Sequence, residues 1–319
     1  MKNFAITGVA GYIAPRHLQA IKDTGNNLVA AMDPHDSVGI LDRYFPGTSY
    51  FTEFERFDRH LELIRRTKSN EKVDYLSICS PNNLHDAHIR LALRVGADAI
   101  CEKPLVLNPW NLDQLQELEK ETEKRVYSVL QLRVHPALVA VKAEIEKRKS
   151  ENKKHEVILT YITSRGPWYQ YSWKGREDIS GGVATNIGIH FFDLLLWLFG
   201  DVEKNHLFKK EFNKASGFME LKNANVKWFL SIDAEDLPKE AVEKNKSTHR
   251  SITIDGNELE FTDGFTDLHT RIYEEMLKGK GFGIETARPA IEAAYNIRNL
   301  DVTKINELMH PFMQKDLNK

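Results

Sequence analysis

The sequence predicts an α/β protein: an N-terminal doubly wound parallel sheet followed by a second α+β domain built on a large, mostly antiparallel open sheet. Three observations carry this. Over the first 130 residues, short apolar runs alternate with amphipathic helical stretches, as in parallel strands joined by crossover helices. The first apolar run enters its helix through a glycine-bearing turn. Beyond residue 150 the apolar runs follow one another across turns, which suits antiparallel pairing. The expected division is 1–130 for the first domain and 131–319 for the second.

Taken in order, Phe4–Thr7 is a short strand ending at Gly8, and Arg16–Asp23 carries Leu18 and Ile21 at helical spacing. Leu28–Met32, Val73–Cys79, Ala99–Cys101 and Val126–Gln131 complete the expected first sheet. Helices are expected over Asp58–Arg66, Leu84–Val95 and Pro109–Thr122, the last capped by Asn108 with Pro109 in its first turn. In the second domain the expected strands are Glu156–Thr163, Asn205–Phe212, Gly217–Leu221, Val226–Asp233, Ser251–Asp255 and Glu258–Phe261. One long helix, Val183–Leu198, precedes most of them; Thr266–Lys278 and Arg288–Leu308 follow. The charge-dense stretches Glu144–Glu156 and Ala234–Arg250 read as a helix end and a surface loop, and the tail after Pro311 as frayed.

The 319 residues are 41% apolar and 28% charged, which supports sizeable cores and argues against global disorder. With 44 Lys+Arg against 46 Asp+Glu, bulk charge does not hold this chain to nucleic acid. The longest apolar block, Gly188–Gly200, carries His190 and Asp193 and falls short of the roughly 20 residues a membrane span needs. The N-terminus runs straight into a strand pattern without the marks of a signal peptide. Cys79 and Cys101 make no disulfide framework, so a reducing cytoplasmic setting is expected.

Four motifs carry chemistry. The turn Gly8-Val9-Ala10-Gly11-Tyr12-Ile13-Ala14 has the spacing G-x-x-G-x-x-A. Gly8 permits a tight turn, Gly11 lets backbone amides approach a pyrophosphate at a helix N-terminus, and Ala14 allows close helix–strand packing. The next strand ends in Asp33, 22 residues after Gly11. A carboxylate there accepts both hydroxyls of an adenosine ribose and repels a 2′-phosphate, which favours NAD over NADP. A plain cap before Pro34 is the alternative, and Arg43 is the nearest cation for a 2′-phosphate. Ser80-Pro81-Asn82-Asn83-Leu84-His85 lies at the carboxyl end of the third expected strand, where ligands of open α/β sheets sit. Asn82 or Asn83 is placed to cap the next helix, and a well-capped loop explains that segment equally. Cys101-Glu102-Lys103-Pro104-Leu105 ends the fourth strand and directs a lysine toward the crevice where a nicotinamide lies. Arg133 and His135 follow the last strand of that sheet.

In the stretch 181–193, Asn186, His190 and Asp193 fall at i, i+4 and i+7 on one face of an apolar helix. Three polar groups there are costly unless satisfied or useful. Zinc ligation is the rival explanation, but neither H-E-x-x-H nor a cysteine pair supports it, and no metal is expected. The segment Ser164–Lys174 sets Tyr169 and Trp173 beside Arg165 and Lys174. Arg165 suits a bidentate carboxylate grip; ordinary aromatic packing with solvated charges is the alternative.

The glycine turn, SICSPNNLH, CEKPL and GGVATNIGIHFFDLLLWLFG, in this order, resemble the glucose–fructose oxidoreductase/inositol dehydrogenase (Gfo/Idh/MocA) family of nicotinamide sugar dehydrogenases over nearly the whole chain. Within it, GVAGYIAPRH, LHDAHIRLALRVGADAICEKPLVLNPWNLD and TSRGPWYQYSWKG resemble the subgroup acting on UDP-linked N-acetylglucosaminuronic acid (UDP-GlcNAcA) in bacterial surface-polysaccharide (lipopolysaccharide O-antigen) synthesis. The resemblance implies an NAD-binding Rossmann domain over 1–130 and a substrate-binding and oligomerisation domain over 131–319. It implies cofactor contacts from Gly8, Gly11, Tyr12, Ile13, Asp33, Ser80, Asn82, His85, Glu102, Lys103 and Arg133. Catalysis would fall to Lys103 and His190, and substrate contacts to Arg165, Tyr169, Trp173, Lys174, Thr185, Asn186 and His190. The implied reaction oxidises the sugar 3-hydroxyl to a ketone, with 2-oxoglutarate recycling NADH in some members. A homo-oligomer, dimer or tetramer, formed through the open sheet is implied too. Two features depart from the family pattern. The turn is one residue longer between Gly8 and Gly11, and Asn186 stands where many relatives carry aspartate, so this position brings no charge.

Oxidising a secondary alcohol sends a hydride to nicotinamide C4 and a proton to a base. His190 is the default base because its ordinary pKa lies near neutrality. Lys103 as ammonium then stabilises the developing oxyanion; with a pKa lowered by burial near cations it would be the base instead. Two rival functions are a dehydrogenase of a free sugar or inositol, and a catalytically silent NAD-binding regulator on the same fold.

Overall fold

The computed structural model describes residues 1–67, 69–147, 153–259, 267–304 and 307–316. The chain divides into two units, Met1–Val134 with Thr266–Arg288, and His135–Phe265 with Pro289–Lys319.

The first unit is built on β1 (Asn3–Thr7), β2 (Asn27–Met32), β3 (Ser49–Phe51), β4 (Tyr75–Ile78), β5 (Asp98–Cys101) and β6 (Val126–Ser128). All are parallel, in the order β3-β2-β1-β4-β5-β6. β1 and β4 are neighbours across the point where the winding reverses, so the loops after them face one crevice at the strand ends. Six strands stand where five were expected. The three-residue edge strand β3 is too short to carry a periodic pattern, and β6 ends at Ser128 because a 3-10 turn, Gln131–Val134, follows closely. The helix Trp110–Thr122 begins one residue late, with Pro109 at the cap position rather than in the first turn. Leu84 holds the cap position of the helix His85–Arg94, and Asn82 and Asn83 lie in a 3-10 turn ahead of it.

The helix Leu268–Leu277 also belongs to this unit. Its Ile272, Tyr273 and Met276 share a buried cluster with Phe4, Ile6, Leu18 and Ile21, and the Phe4 and Tyr273 rings stack at 5.8 Å. A linear division at residue 130 assigns this helix to the second domain. Its apolar face finds its partner on the helix Ala14–Asp23 instead, a pairing that no local pattern announces.

The second unit carries β7 (His155–Thr163), β8 (Val202–Lys210), β9 (Lys214–Leu221), β10 (Ala224–Ser231), β11 (Thr248–Ile254) and β12 (Asn257–Glu258). Their order is β12-β11-β7-β10-β9-β8, antiparallel except for the pair β7–β10. Residues 260 and 261 of the expected last strand lie outside the described residues. The expected helix Val183–Leu198 is two helices, Gly182–Asn186 and Ile189–Phe199, bent by 45° between the segments Glu177–Asn186 and Ile189–Phe199. Gly188 sits at the break, where a Cβ would lie 2.4 Å from the Ala184 carbonyl oxygen and 2.6 Å from Leu230. Among the described residues no single helix is long and apolar enough to cross a membrane, although this bent pair passes by length and composition. The expected helix Arg288–Leu308 runs instead over Ile284–Asn299, and residues 305 and 306 lie outside the described residues. The Ala234–Arg250 loop contains a short helix, Lys239–Glu243, and the start of β11. The tail carries a helix, Pro311–Asp316, that buries Met313 and stacks Phe312 on Phe229, and residues 317–319 lie outside the described residues.

Candidate active site

At the end of β1 the chain turns at Gly8 with φ +77°, and a Cβ there would lie 2.5 Å from the Cys79 backbone after β4. Only glycine fits, since both the left-handed backbone and the close approach exclude a side chain. A Cβ on Gly11 would meet the Gly8 carbonyl oxygen at 3.0 Å. The helix Ala14–Asp23 follows, and among the described residues no protein acceptor takes the Tyr12 or Ile13 N–H. Two free amides at a helix N-terminus are what an anionic pyrophosphate seeks. Tyr12 itself is 85% exposed.

Asp33 sits buried just past the tip of β2. Its Oδ2 accepts the Ala10 N–H at 3.0 Å and its Oδ1 the His35 N–H at 2.9 Å. The carboxylate therefore ties the glycine turn to its own strand end, and each oxygen keeps a lone pair for a ribose hydroxyl. After β4, Ser80 Oγ meets His88 Nδ1 at 2.9 Å, Asn82 is buried, and His85 places Nδ1 2.6 Å from the Pro104 carbonyl and Nε2 2.9 Å from the Ser80 carbonyl. Both ring nitrogens thus face carbonyl oxygens, and a neutral imidazole, with one N–H, donates to one of them. Burial pushes its pKa down against the pull of those carbonyls.

After β5 the Glu102 carboxylate, expected as a cofactor contact, turns inward against His17 and His269, and Lys103 stands beside it, half-buried. Neither histidine was singled out by sequence. Each is one polar residue on an amphipathic helix, and their meeting depends on the return of the helix Leu268–Leu277. These three residues are also a group among the described ones whose ligand atoms lie within 4.8 Å of one another, near enough to consider a metal ion. Arg133 reaches the Thr286 carbonyl at 3.4 Å and lies over the Phe282 ring. At the end of β6 and in the 3-10 turn after it, Ser128 Oγ and Gln131 Oε1 are buried without a hydrogen-bond partner among the described residues, and neither was expected. The glycine cradle, the free amides and these orphaned oxygens fit a dinucleotide.

In the second unit, the short helix Trp168–Tyr171 and the turn Trp173–Gly175 gather the expected substrate residues. Tyr169 is buried and its hydroxyl accepts from Asn186 Nδ2 at 2.8 Å. Burial raises the Tyr169 phenol. Lys174 Nζ lies 4.4 Å from the Trp173 ring centroid, and burial followed by the charge of Arg165 lowers its pKa. Arg165 itself is exposed. Thr185 Oγ1, next to Asn186, is buried with no partner among the described residues. His190 is half-buried and Asp193 fully buried. The break at Gly188 separates Asn186 from the other two, so the three do not lie on one straight helix face.

Comparison with known proteins first defines the class. Residues 2–130 match the model described as oxidoreductase family, NAD-binding Rossmann fold, and residues 153–236 its C-terminal alpha/beta domain. The chain belongs to the Gfo/Idh/MocA oxidoreductase family. Among solved structures it resembles the WlbA (WbpB) dehydrogenase of Thermus thermophilus in complex with NAD and alpha-ketoglutarate, at 51% identity and TM-score 0.93 over 98% of this chain and 100% of that one. A second structure of that dehydrogenase, with NAD and UDP-GlcNAcA, gives 50% identity, TM-score 0.93 and the same coverage. D-glucoside 3-dehydrogenase of Escherichia coli (strain K12) is 26% identical over 132 residues, 40% of this chain and 36% of that protein. The chain thus matches about a third of that curated relative's length.

Proposed function

We propose that this protein oxidises the 3-hydroxyl of UDP-GlcNAcA to a ketone with NAD, as a step in building bacterial surface polysaccharide. The observation that carries this is the 50% identity, over 98% of the chain, to a dehydrogenase structure holding NAD and UDP-GlcNAcA. The alpha-ketoglutarate bound by the same relative supports 2-oxoglutarate as the oxidant that returns NADH to NAD. The resemblance further supports a homo-oligomer, and the two buried free cysteines suit a cytoplasmic protein.

NAD supplies the hydride acceptor; the remaining work falls to side chains. The Gly8–Ile13 turn and Asp33 hold the adenosine and pyrophosphate end. Lys103 donates a hydrogen bond to the substrate oxygen and stabilises charge as it develops there. His190 takes the hydroxyl proton, since an imidazole titrates near working pH. Arg165 and Lys174 offer cations to the carboxylate or diphosphate, and Thr185 and Asn186 offer polar contacts to the sugar.

The experiment is turnover and NAD affinity of Lys103→Met, His190→Asn and the double variant. Loss of the base costs about 10²–10⁴ and loss of the oxyanion donor about 10²–10³. The double variant should lose much less than the product of the two, because the pair acts in one step. NAD affinity stays near wild type. Turnover within a few-fold of wild type in both single variants would count against the assignment and favour a silent NAD-binding regulator.

A further inference from the structure

Glu102 is a buried carboxylate with no part in the proposed chemistry. Such a group is costly unless it is paired and hydrogen-bonded. Its Oε1 lies 2.9 Å from His17 Nε2 and 3.2 Å from His269 Nε2, and its Oε2 accepts the Lys103 N–H at 3.3 Å. Burial alone would raise this carboxyl; the hydrogen bonds from His17 and His269 prevail and hold it well below the usual carboxylate range. Burial lowers His17, against the pull of Glu102, which leaves the imidazole neutral. One arrangement then gives every proton an acceptor. His17 Nε2–H serves Glu102, His17 Nδ1 accepts the Tyr273 hydroxyl at 2.7 Å, and Tyr273 accepts the Ser77 hydroxyl at 2.7 Å. On the other side of Lys103, the Pro104 carbonyl is held by His85 at 2.6 Å. The lysine's backbone is therefore gripped at its own N–H and at the next carbonyl, and the first grip depends on the helix Leu268–Leu277.

We infer that His17 and His269 are positioning residues: through the Glu102 carboxylate they fix the backbone of Lys103 and so aim its ammonium. This rests on the proposal that Lys103 polarises the substrate oxygen. The same three side chains resemble a metal-ligand set, but each is already hydrogen-bonded to another, which assigns the cluster to the network rather than to an ion.

The test uses the full chain with NAD and UDP-GlcNAcA. His269→Phe keeps a ring and removes the donor, His269→Gln restores an N–H, and Glu102→Gln keeps the volume and removes the anionic acceptor. A displacement of the reacting group by about 1 Å costs up to about 10² in rate, so His269→Phe and Glu102→Gln should lower kcat about 10–100-fold and leave KM and NAD affinity within about threefold. His269→Gln should recover most of the loss. If His269→Phe fails to fold, as judged by its thermal melt, the other two variants carry the test. Wild-type kcat in His269→Phe and Glu102→Gln, a rise in KM alone, or one tightly bound zinc per chain by elemental analysis would overturn the inference. Lys103→Met, assayed alongside, separates the two levels. If it is inactive while the Glu102 and His269 variants are unaffected, only the positioning role falls. If it turns over normally, the assignment of Lys103 falls and the inference with it.

Discussion

Asp33 accepts two backbone N–H groups within its own unit, and the proposed ribose contact adds to that duty. Asp33→Ala should weaken NAD binding by roughly 1.5–3 kcal/mol, the worth of lost charge-assisted hydrogen bonds. NADP should be weakened less, because a repulsion is lost as well. Calorimetry with both cofactors checks this, and equal weakening would remove Asp33 from the adenosine site. Arg165→Ala should impair UDP-GlcNAcA more than UDP-N-acetylglucosamine in kcat/KM. Equal losses would assign Arg165 to the diphosphate instead. Gly8 and Asp33 were legible in the sequence because a glycine turn and a strand-tip carboxylate are local demands of the backbone. His17, His269, Ser128 and Gln131 were not. Their significance lies in what they meet, or fail to meet, across the sheet, and no spacing records that.

The helix around Gly188 is broken by a local lack of room. Its apolar run reads as one continuous helix, since composition does not reveal that a side chain at 188 has no room. A Cβ there would crowd the Ala184 carbonyl, Leu230 and Phe192 at 2.4–2.9 Å. Gly188→Ala should therefore lower stability by about 1–3 kcal/mol through overpacking, measurable by chemical denaturation. It should also disturb activity, because Asn186 and His190 flank the break. An unchanged midpoint would mean that the two helices can shift to admit a methyl group. Of the expected strands, β1, β2, β5 and β7 were legible to within a residue, whereas others kept their place with ends two or three residues off, as in Asn205–Phe212, which is Val202–Lys210, and Ser251–Asp255, which is Thr248–Ile254. The edge strand β3 escaped because three residues hold no period, and the helix Leu268–Leu277 was seen as a helix but placed in the wrong unit.

For the whole molecule, buried histidines set the response to acid. Burial lowers the His88 pKa to about 4 and the His310 pKa to about 3, and it lowers His17 and His85 as well. A folded-state pKa below the unfolded value of about 6.5 means that the unfolded chain binds more protons between the two values. Stability from these groups is therefore complete above pH ~6.5 and lost progressively as pH falls toward 4 and 3. Glu102, held below its ordinary range, adds loss of the same sign below its unfolded pKa of about 4.3. Thermal melts from pH 7.5 to 4.5 should show a falling midpoint, with a shallower slope in His310→Gln; a flat profile in the wild type would contradict the buried, neutral state of these rings. The substrate is tested by incubation with UDP-GlcNAcA, NAD and 2-oxoglutarate, with the sugar product identified by mass spectrometry and NMR. The product should be two mass units lighter with a ketone at carbon 3, and free sugars and inositol should show little or no turnover. Oxidation of inositol or a free sugar with UDP-GlcNAcA left untouched would contradict the proposed function.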